Sequence, residues 1–286
     1  MSSAGGLQVM LRDAARQLND AGIPGAMRDA RLLLAHAASV DAARVTLIAP
    51  EEIAPEIAER FEQLVALRAV RVPVSQLVGA RAFYGRDFKI SREVLDPRPE
   101  TETLIDLALS TPFDRLLDLG TGSGCVLLSI LDERADARGV GVDISEAALN
   151  VARENAAALS LAARAQFKCS DWFGGVDGCF DLIVSNPPYI SLDAYAGLMV
   201  GVRDFEPRIA LTDEGDGLSA YRLICEAAGD HLTANGRLMV EIGFDQGAAV
   251  QDIFAGAGFT EIQCLPDIEG RNRVVCGVLT GRSAAV

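Results

Sequence analysis

The residues best suited to chemistry in this chain are Asn186, Pro187, Pro188 and Tyr189, which follow an apolar run. Two consecutive prolines fix two φ angles and push Asn186 toward extended backbone, so the loop is stiff. A planar substrate NH2 group carries two hydrogens. The Asn186 side-chain oxygen can accept one and the Pro187 carbonyl the other, while Tyr189 covers the plane. Held in this way, a nitrogen can be aligned with a transferable methyl group, and its developing positive charge is stabilised.

An Asn-Pro pair alone would favour an ordinary loop, because the dipeptide is common in turns. The longer run Asn186 to Tyr189 stands at the end of a fourth predicted strand, downstream of a glycine-rich turn. This placement favours a catalytic loop. A methyl donor that is a sulfonium needs no strong general base at the site. The leaving group drives the transfer, and the proton can leave the nitrogen afterwards.

The glycine-rich turn runs from Asp118 to Gly124, between the first predicted strand and a helix. Its glycines allow sharp backbone turns and close approach of a ligand. Cys125 replaces the last glycine of a dinucleotide-binding fingerprint, and no Lys or Arg lies between Leu116 and Glu133, so a phosphate group would be poorly held. The cationic sulfonium of S-adenosylmethionine fits better. The predicted cofactor contacts here are Gly120, Thr121, Gly122, Ser123 and Gly124.

Further predicted cofactor contacts follow the next strands. Asp143 ends the second strand, where a carboxylate can accept hydrogen bonds from ribose hydroxyls; the alternative is a helix N-cap before Ile144-Ser145. Trp172, the one tryptophan, can stack on an adenine and Asp171 can accept from its amino group, although a core aromatic and a turn aspartate are the alternative. Asn186 is predicted to touch the same ligand. Together these positions indicate an adenosine-bearing cofactor.

Alternating strands and helices from residue 115 onward must position these groups. The pattern predicts an α/β fold with a mostly parallel sheet, in which ligands bind at the carboxyl ends of the strands. Helices are predicted near residues 101–110, 123–134, 146–159, 217–231 and 246–256. Strands are predicted near residues 115–119, 138–142, 164–168, 180–184, 236–242, 259–264 and 272–279.

The first part of the chain has a different texture. Apolar spacing predicts four short helices, around residues 7–18, 27–39, 41–48 and 57–65, the last ending before Pro73. Arg81–Tyr84 and Asp87–Ile90 predict a hairpin around Gly85-Arg86. We therefore expect a helical bundle over residues 1–72, a linker with the hairpin over 73–95 and the chemical domain over 96–286. The bundle would dock a substrate or serve only as structure.

Composition narrows the class of partner. The formal net charge is -14, from 40 acidic residues against 26 Lys plus Arg, which disfavours nucleic acid and anionic membranes. No apolar run approaches the roughly 18 residues of a membrane span, and the start lacks a secretory pattern. Six scattered cysteines predict reduced thiols and a cytoplasmic protein. The sequence has two histidines, His36 and His231, and no clustered thiols, so no metal site is predicted.

The chain resembles the HemK/PrmC family, the glutamine N5-methyltransferases of class-I peptide release factors, over nearly its whole length. Asn-Pro-Pro-Tyr is shared with DNA adenine and other amine methyltransferases, whereas the combination with Pro97 to Glu102, read Pro-Arg-Pro-Glu-Thr-Glu, is narrower. Asp96 departs from the apolar residue expected there. The other segments that carry the resemblance are Asp29 to His36, Pro73 to Gly79, Phe83 to Gly85, Phe88, Asp118 to Gly124, Asp143, Phe205 to Pro207, Glu241 to Gly243 and Arg273 to Val275.

The resemblance implies a class I, Rossmann-like methyltransferase with a seven-stranded sheet and S-adenosylmethionine as cofactor. Gly120 to Gly124 and Asp143 would contact its methionine and ribose parts, and Trp172 its adenine. The loop Asn186 to Tyr189 would hold the glutamine of a Gly-Gly-Gln motif in a release factor. Arg98 and Pro99 would shape the substrate site. A proline turn followed by a helix that Thr101 caps explains these residues equally well. A monomer is expected.

Other functions share several of these features. A glutamine methyltransferase of a ribosomal protein would keep the same loop, and only the Pro97 to Glu102 resemblance argues against it. A DNA or RNA amino-group methyltransferase is disfavoured by the acidic charge. A nucleoside-binding protein without catalysis would not need Asn186.

One segment of this acidic chain has an excess of basic residues. Residues 68–98 contain seven basic and three acidic residues, with Phe83, Tyr84 and Phe88 interleaved. Docking of the protein partner and a solvated hairpin are equally consistent with this stretch.

Overall fold

The computed structural model describes residues 4–47 and 53–280, which form two compact units. Unit 1 comprises Met1–Ala80 with Met199–Phe205, and unit 2 comprises Arg81–Leu198 with Glu206–Val286. Among the described residues, no helix is both long and apolar enough to cross a bilayer.

Unit 1 is helical because its apolar residues recur at helical spacing and meet in one core. Leu11, Leu18, Leu33 and Phe61 are among its buried side chains. Its α-helices are α1 (Ala4–Asp20), α2 (Ala26–Ala38), α3 (Pro55–Ala69), α4 (Val74–Val78) and, from later in the chain, α9 (Val200–Arg203).

The predicted helix over residues 41–48 is wrong in type, because Ala42–Leu47 form a 3-10 helix, and residue 48 lies outside the described residues. Residues 41–47 are too few for a regular α-helix to gain much from its own hydrogen bonds. Helix α4 was not predicted. Pro73 both follows the end of α3 and stands as the N-cap of α4, so a proline that ends one helix also begins another.

Unit 2 contains a seven-stranded sheet in the order β5-β4-β3-β6-β7-β9-β8. The pairs β3–β4, β4–β5, β3–β6 and β6–β7 are parallel, and β9 runs antiparallel to β7 and to β8. The predicted mostly parallel sheet is confirmed. Its strands are β3 (Arg115–Leu119), β4 (Arg138–Asp143), β5 (Ala165–Cys169), β6 (Phe180–Ser185), β7 (Leu232–Glu241), β8 (Thr260–Pro266) and β9 (Asn272–Val278).

Both faces of the sheet are buried because most side chains of its central strands are apolar and pack into a core on each face. Alternate residues point to opposite faces, so Leu116 and Val184 enter one core while Leu117 and Ile183 enter the other. The longer helices of unit 2 are α5 (Glu102–Leu109), α6 (Cys125–Glu133), α7 (Glu146–Ala158), α10 (Ser219–Ala228) and α11 (Gly247–Gly256). Each lies within a segment predicted as helical. The short helices α8 (Leu192–Tyr195) and Arg208–Ala210 were not predicted.

The hairpin is present, but its predicted turn is wrong by one residue. Strands β1 (Ala80–Phe83) and β2 (Arg86–Lys89) enclose Tyr84-Gly85. Both turn residues have positive φ, 47° and 72°, as a type I′ turn requires. Tyr84 adopts this unfavourable conformation because its N–H donates to Glu102 Oε1 at 3.1 Å and its hydroxyl donates to Asp106 Oδ1 at 2.7 Å. These partners are not visible from the local sequence.

Candidate active site

The sheet register brings the predicted chemical loops to one edge. Leu119 at the end of β3 pairs with Ser185 at the end of β6, and Asp143 at the end of β4 pairs with Cys169 at the end of β5. Since these strands are parallel, the loops that follow them leave the sheet on the same side. The glycine-rich turn, Asp143, Trp172 and Asn186 therefore lie around one depression.

That depression is a pocket of about 1110 Å³, counting its open mouth. The predicted site residues that line it are Arg98, Gly120, Thr121, Gly122, Ser123, Asp143, Asp171, Trp172, Asn186 and Pro188. Asp118, Thr101 and Ser145 also line it and were not predicted as site residues. Asp118 and Ser145 adjoin predicted positions, so the motif boundaries could have included them. Thr101 comes from a segment interpreted as a helix cap.

Four predicted site residues lie outside the pocket lining. Gly124 is the N-cap of α6 with φ 77°, and a Cβ there would stand 3.1 Å from Leu128 Cδ1. Pro99 begins a 3-10 helix, and Pro187 is buried. Tyr189 packs at the edge of a core, with its hydroxyl 3.5 Å from Glu241 Oε1. Roles for these residues in binding or catalysis stay predictions.

The glycine-rich turn is held by a buried carboxyl. The Thr121 hydroxyl donates to Asp118 Oδ2 at 2.7 Å, and the Thr121 N–H donates to the Val142 carbonyl at 2.9 Å. Gly120 and Gly122 have φ values of 70° and 53°, which side chains with a Cβ rarely adopt. Burial raises the pKa of Asp118 to about 7, against a weaker opposing effect of the Thr121 hydrogen bond.

Asp143 ties two loops together. Its Oδ2 accepts from the Gly122 N–H and its Oδ1 from the Ser145 N–H, both at 2.9 Å. The N-cap of α7 is Ser145, whose hydroxyl oxygen accepts from the Ala148 N–H, so Asp143 does not cap this helix. Each carboxylate oxygen keeps a further lone pair for a ligand hydroxyl. Burial raises the pKa of Asp143.

Trp172 lines the pocket in a strained backbone conformation. Its φ is 46°, which is unusual for a bulky residue and persists only where the surroundings enforce it. The Ser170 hydroxyl donates to the Trp172 carbonyl at 2.8 Å and accepts from the Gly175 N–H at 2.8 Å. The ring packs against the core that contains Leu117 and Ile183, and Asp171 beside it is exposed. This geometry offers a flat apolar surface next to a hydrogen-bond acceptor.

The loop that carries Asn186 is fixed from several sides. Asn186 Nδ2 donates to Thr101 Oγ1 at 3.4 Å, which leaves the side-chain oxygen as the free end of the amide. Gln246 Nε2 donates to the Tyr189 carbonyl at 3.0 Å. Within the described part of the chain, no donor bonds the Pro187 carbonyl. A rigid loop with two spare acceptors suits a planar NH2 group.

Arg98 forms part of the pocket wall through an ion pair. Its Nη2 donates to Glu206 Oε1 at 2.6 Å and to Oε2 at 2.8 Å. Burial raises the pKa of Glu206, opposed by the Arg98 charge. The pair therefore joins two segments that both reach the pocket, since Pro97 and Pro207 also line it.

The basic side chains over residues 68–98 have partners, and four of them pair with carboxylates outside the stretch. Arg71 donates to the Ala21 carbonyl at 2.9 Å. The other basic side chains lie in ion pairs: Arg68 with Asp29, Arg81 with Asp96, Arg86 with Asp132 and Glu133, Lys89 with Glu154, Arg92 with Glu93 and Arg98 with Glu206. The excess of positive charge thus has a structural explanation, and it gives no support to partner docking.

The lining suits a positively charged adenosine derivative. Four acidic side chains reach the pocket, namely Glu93, Asp118, Asp143 and Asp171, and its one basic lining residue, Arg98, is paired with Glu206. A sulfonium is favoured by such surroundings and a phosphate is not. Asp143 can accept from ribose hydroxyls and Trp172 can stack on adenine. The residues present therefore fit S-adenosylmethionine.

Fold and site together define an S-adenosylmethionine-dependent methyltransferase. Residues 10–79 match the PrmC N-terminal domain and residues 91–199 the methyltransferase small domain. The release factor glutamine methyltransferase of Cereibacter sphaeroides is 52% identical over 265 residues, covering 93% of this chain and 95% of the relative. That of Agrobacterium fabrum is 40% identical, covering 92% and 93%. The chain belongs to the release factor glutamine methyltransferase family.

The fold agrees with a solved structure of low sequence identity. A methyltransferase from Pyrococcus furiosus superposes with a TM-score of 0.54 at 16% identity. The match covers 70% of this chain and 92% of that chain.

The buried carboxyls of the site predict an unusual dependence of stability on pH. Burial raises the pKa of Asp118 from 3.8 and that of Glu241 from 4.5, each to about 7. The folded state then binds more protons than the unfolded chain between about pH 5 and pH 7, so its free energy of unfolding falls as pH rises through that range. The expected loss between pH 5.5 and pH 8 is about 2 kcal/mol for each carboxyl.

Urea unfolding of the cofactor-free protein at pH 5.5 and pH 8 measures this dependence, and Glu241→Gln is the matched variant. The variant should have the shallower pH dependence and the higher free energy of unfolding at pH 8. Groups with lowered pKa values, such as Asp181 and Asp213, titrate below this window. If the free energy of unfolding depends on pH equally in both proteins, Glu241 does not have the raised pKa.

Proposed function

We propose that this protein transfers a methyl group from S-adenosylmethionine to the side-chain amide nitrogen of the glutamine in the Gly-Gly-Gln motif of class-I peptide release factors. The observation that carries the proposal is the Asn186 amide at the pocket wall, with Nδ2 on Thr101 and its oxygen free. The activity of its relatives, glutamine methylation of release factors, indicates the substrate, and the site supplies acceptors for an NH2 group.

Bound S-adenosylmethionine supplies an electrophilic methyl group on a positively charged sulfur. The protein holds the cofactor through the glycine-rich turn, Asp143, Asp171 and Trp172. Asn186 Oδ1 and the Pro187 carbonyl accept the two amide hydrogens of glutamine and orient the nitrogen toward the methyl group. Tyr189 and Pro188 limit the movement of the loop and cover the amide plane.

The acceptors act mainly on the transition state. As the nitrogen bonds to the methyl carbon, the methyl–sulfur bond breaks and its electron pair stays on the sulfur. The nitrogen lone pair leaves conjugation with the carbonyl, so the amide hydrogens become more positive. Hydrogen bonds to Asn186 and Pro187 therefore strengthen during the reaction, which lowers the barrier. The extra proton leaves the methylated amide afterwards, so a strong base at the nitrogen is unnecessary.

The two units have separate roles in this proposal. Unit 2 binds the cofactor and the glutamine, and the helical residues 1–72 dock the body of the release factor. Arg98 and Pro99 shape the entrance for the Gly-Gly-Gln segment. The protein acts as a cytoplasmic monomer on a protein substrate, without direct contact to nucleic acid or membrane.

A labelling experiment tests the proposed substrate. The protein is incubated with S-adenosylmethionine carrying a radiolabelled methyl group and, separately, with purified release factor, ribosomal proteins, DNA or RNA. We expect label on the release factor alone, and none on a release factor whose Gly-Gly-Gln glutamine is replaced by alanine. Label on ribosomal protein or nucleic acid, with an unlabelled release factor, would overturn the assignment.

A further inference from the structure

The sheet places a buried glutamate directly beside the Asn186 loop. Ser185 of β6 pairs with Val240 of the parallel strand β7. The next residues, Asn186 and Glu241, therefore leave neighbouring strands at the same level of the carboxyl edge. Glu241 is 1% exposed, so it lies beneath the pocket wall rather than in the pocket.

Thr101 stands between these two side chains. Its hydroxyl accepts from Asn186 Nδ2 at 3.4 Å, and hydrogen bonding to the same hydroxyl lowers the pKa of Glu241 against the larger raising effect of burial. Thr101 is 2% exposed, so water cannot replace these partners freely. Glu241 Oε1 lies 3.5 Å from the Tyr189 hydroxyl. Among the described residues, no donor forms a hydrogen bond with Glu241 Oε2.

The Thr101 hydroxyl has a single hydrogen, and the position of that hydrogen determines the orientation of the Asn186 amide. A threonine hydroxyl has one hydrogen, and the ionised form of the buried Glu241 carboxyl, which predominates above about pH 7, attracts it strongly. Once that hydrogen points to Glu241, the Thr101 oxygen can only accept. Asn186 must then turn its NH2 group toward Thr101 and its oxygen toward the pocket. With the opposite orientation, an NH2 group would face the NH2 group of the substrate.

We propose that Thr101 and Glu241 are positioning residues that fix the Asn186 carboxamide with its oxygen toward the substrate nitrogen. The inference rests on the proposed function for the nature of that nitrogen. It assigns Thr101 a role that its sequence position, at the start of a helix, does not reveal. Neither side chain touches the reacting atoms.

The test compares Thr101→Val, which removes the hydroxyl at nearly constant shape, with Thr101→Ser, which keeps it. Thr101→Val should lower kcat for release factor methylation about 10- to 100-fold, as expected for a misplaced catalytic group. Thr101→Ser should restore most of that loss. Binding of S-adenosylmethionine, measured by calorimetry, should change by no more than about twofold in either variant.

Thr233→Val is the matched control, because the Thr233 hydroxyl also donates to a carboxylate, Asp181 Oδ1 at 3.0 Å, but near the start of β7. Its activity should equal that of the unmodified protein. If the unmodified protein fails to methylate a release factor, the proposed function is at fault. If it is active and Thr101→Val is equally active, only the positioning role is refuted.

A second measurement does not depend on activity. The chain has six asparagines, so selective ¹⁵N-asparagine labelling gives few side-chain NH2 signals, and Asn186→Ala identifies the one from Asn186. Thr101→Val and Glu241→Gln should each shift that signal and speed its hydrogen exchange, while Thr101→Ser should not. An Asn186 signal indifferent to both substitutions would contradict the proposal even if kcat falls.

Discussion

Replacement of Asn186 by alanine is expected to lower kcat for methyl transfer by about 10²- to 10³-fold, the typical effect of losing one oriented polar group at a developing charge. The side chain supplies one of two acceptors for the substrate NH2 group, and the Pro187 carbonyl cannot hold both hydrogens in the required plane. Because Pro187 and Pro188 stay in place, the loop should keep its backbone.

The readout is a single-turnover rate with saturating S-adenosylmethionine and release factor. Cofactor affinity should stay within about threefold, because most of the cofactor's predicted contacts are made by other residues. Asn150→Ala is the control, since Asn150 is exposed on α7 and its side chain accepts a hydrogen bond from Arg153 Nη1 at 2.9 Å. An Asn186→Ala protein with a near-normal rate would exclude the amide-holding mechanism.

The sequence was most informative where side-chain periodicity and backbone restriction act locally. Short, mainly apolar segments such as residues 115–119 and 180–185 identify buried parallel strands. Once the sheet is parallel, Asp143 and Asn186 must leave it at one edge, so the pocket followed without any knowledge of long-range contacts. The proline pair after Asn186 also fixes backbone geometry by covalent structure alone.

The remaining features depend on partners that are distant in the chain. Thr101 lies 85 residues from Asn186, which it contacts, and no local pattern relates the two. The one-residue shift of the hairpin arises because Glu102 and Asp106 bind Tyr84. The ion pairs of the basic stretch could not be predicted for the same reason, since carboxylates such as Glu206 lie far away in the sequence.

Asp143→Asn is expected to weaken S-adenosylmethionine binding about 100-fold, although the two side chains have nearly the same shape. The carboxylate accepts from the backbone N–H groups of Gly122 and Ser145, one on each oxygen. An amide has only one oxygen, so its NH2 group must face one of these donors. A part-buried N–H left without an acceptor costs about 1–3 kcal/mol. The glycine-rich turn then shifts, and ribose hydroxyls lose an acceptor as well.

Calorimetric titration measures the affinity for the cofactor. Asp136→Asn is the control because Asp136 is exposed just before β4, the strand that Asp143 ends. At saturating cofactor, the Asp143→Asn variant should recover a kcat within about threefold of normal, since Asp143 does not hold the substrate nitrogen. Asn186→Ala should show the reverse combination, with normal cofactor affinity and a low kcat. Should both substitutions reduce affinity and kcat alike, the pocket would not separate cofactor binding from amide orientation, and the two roles argued from its geometry could not both hold.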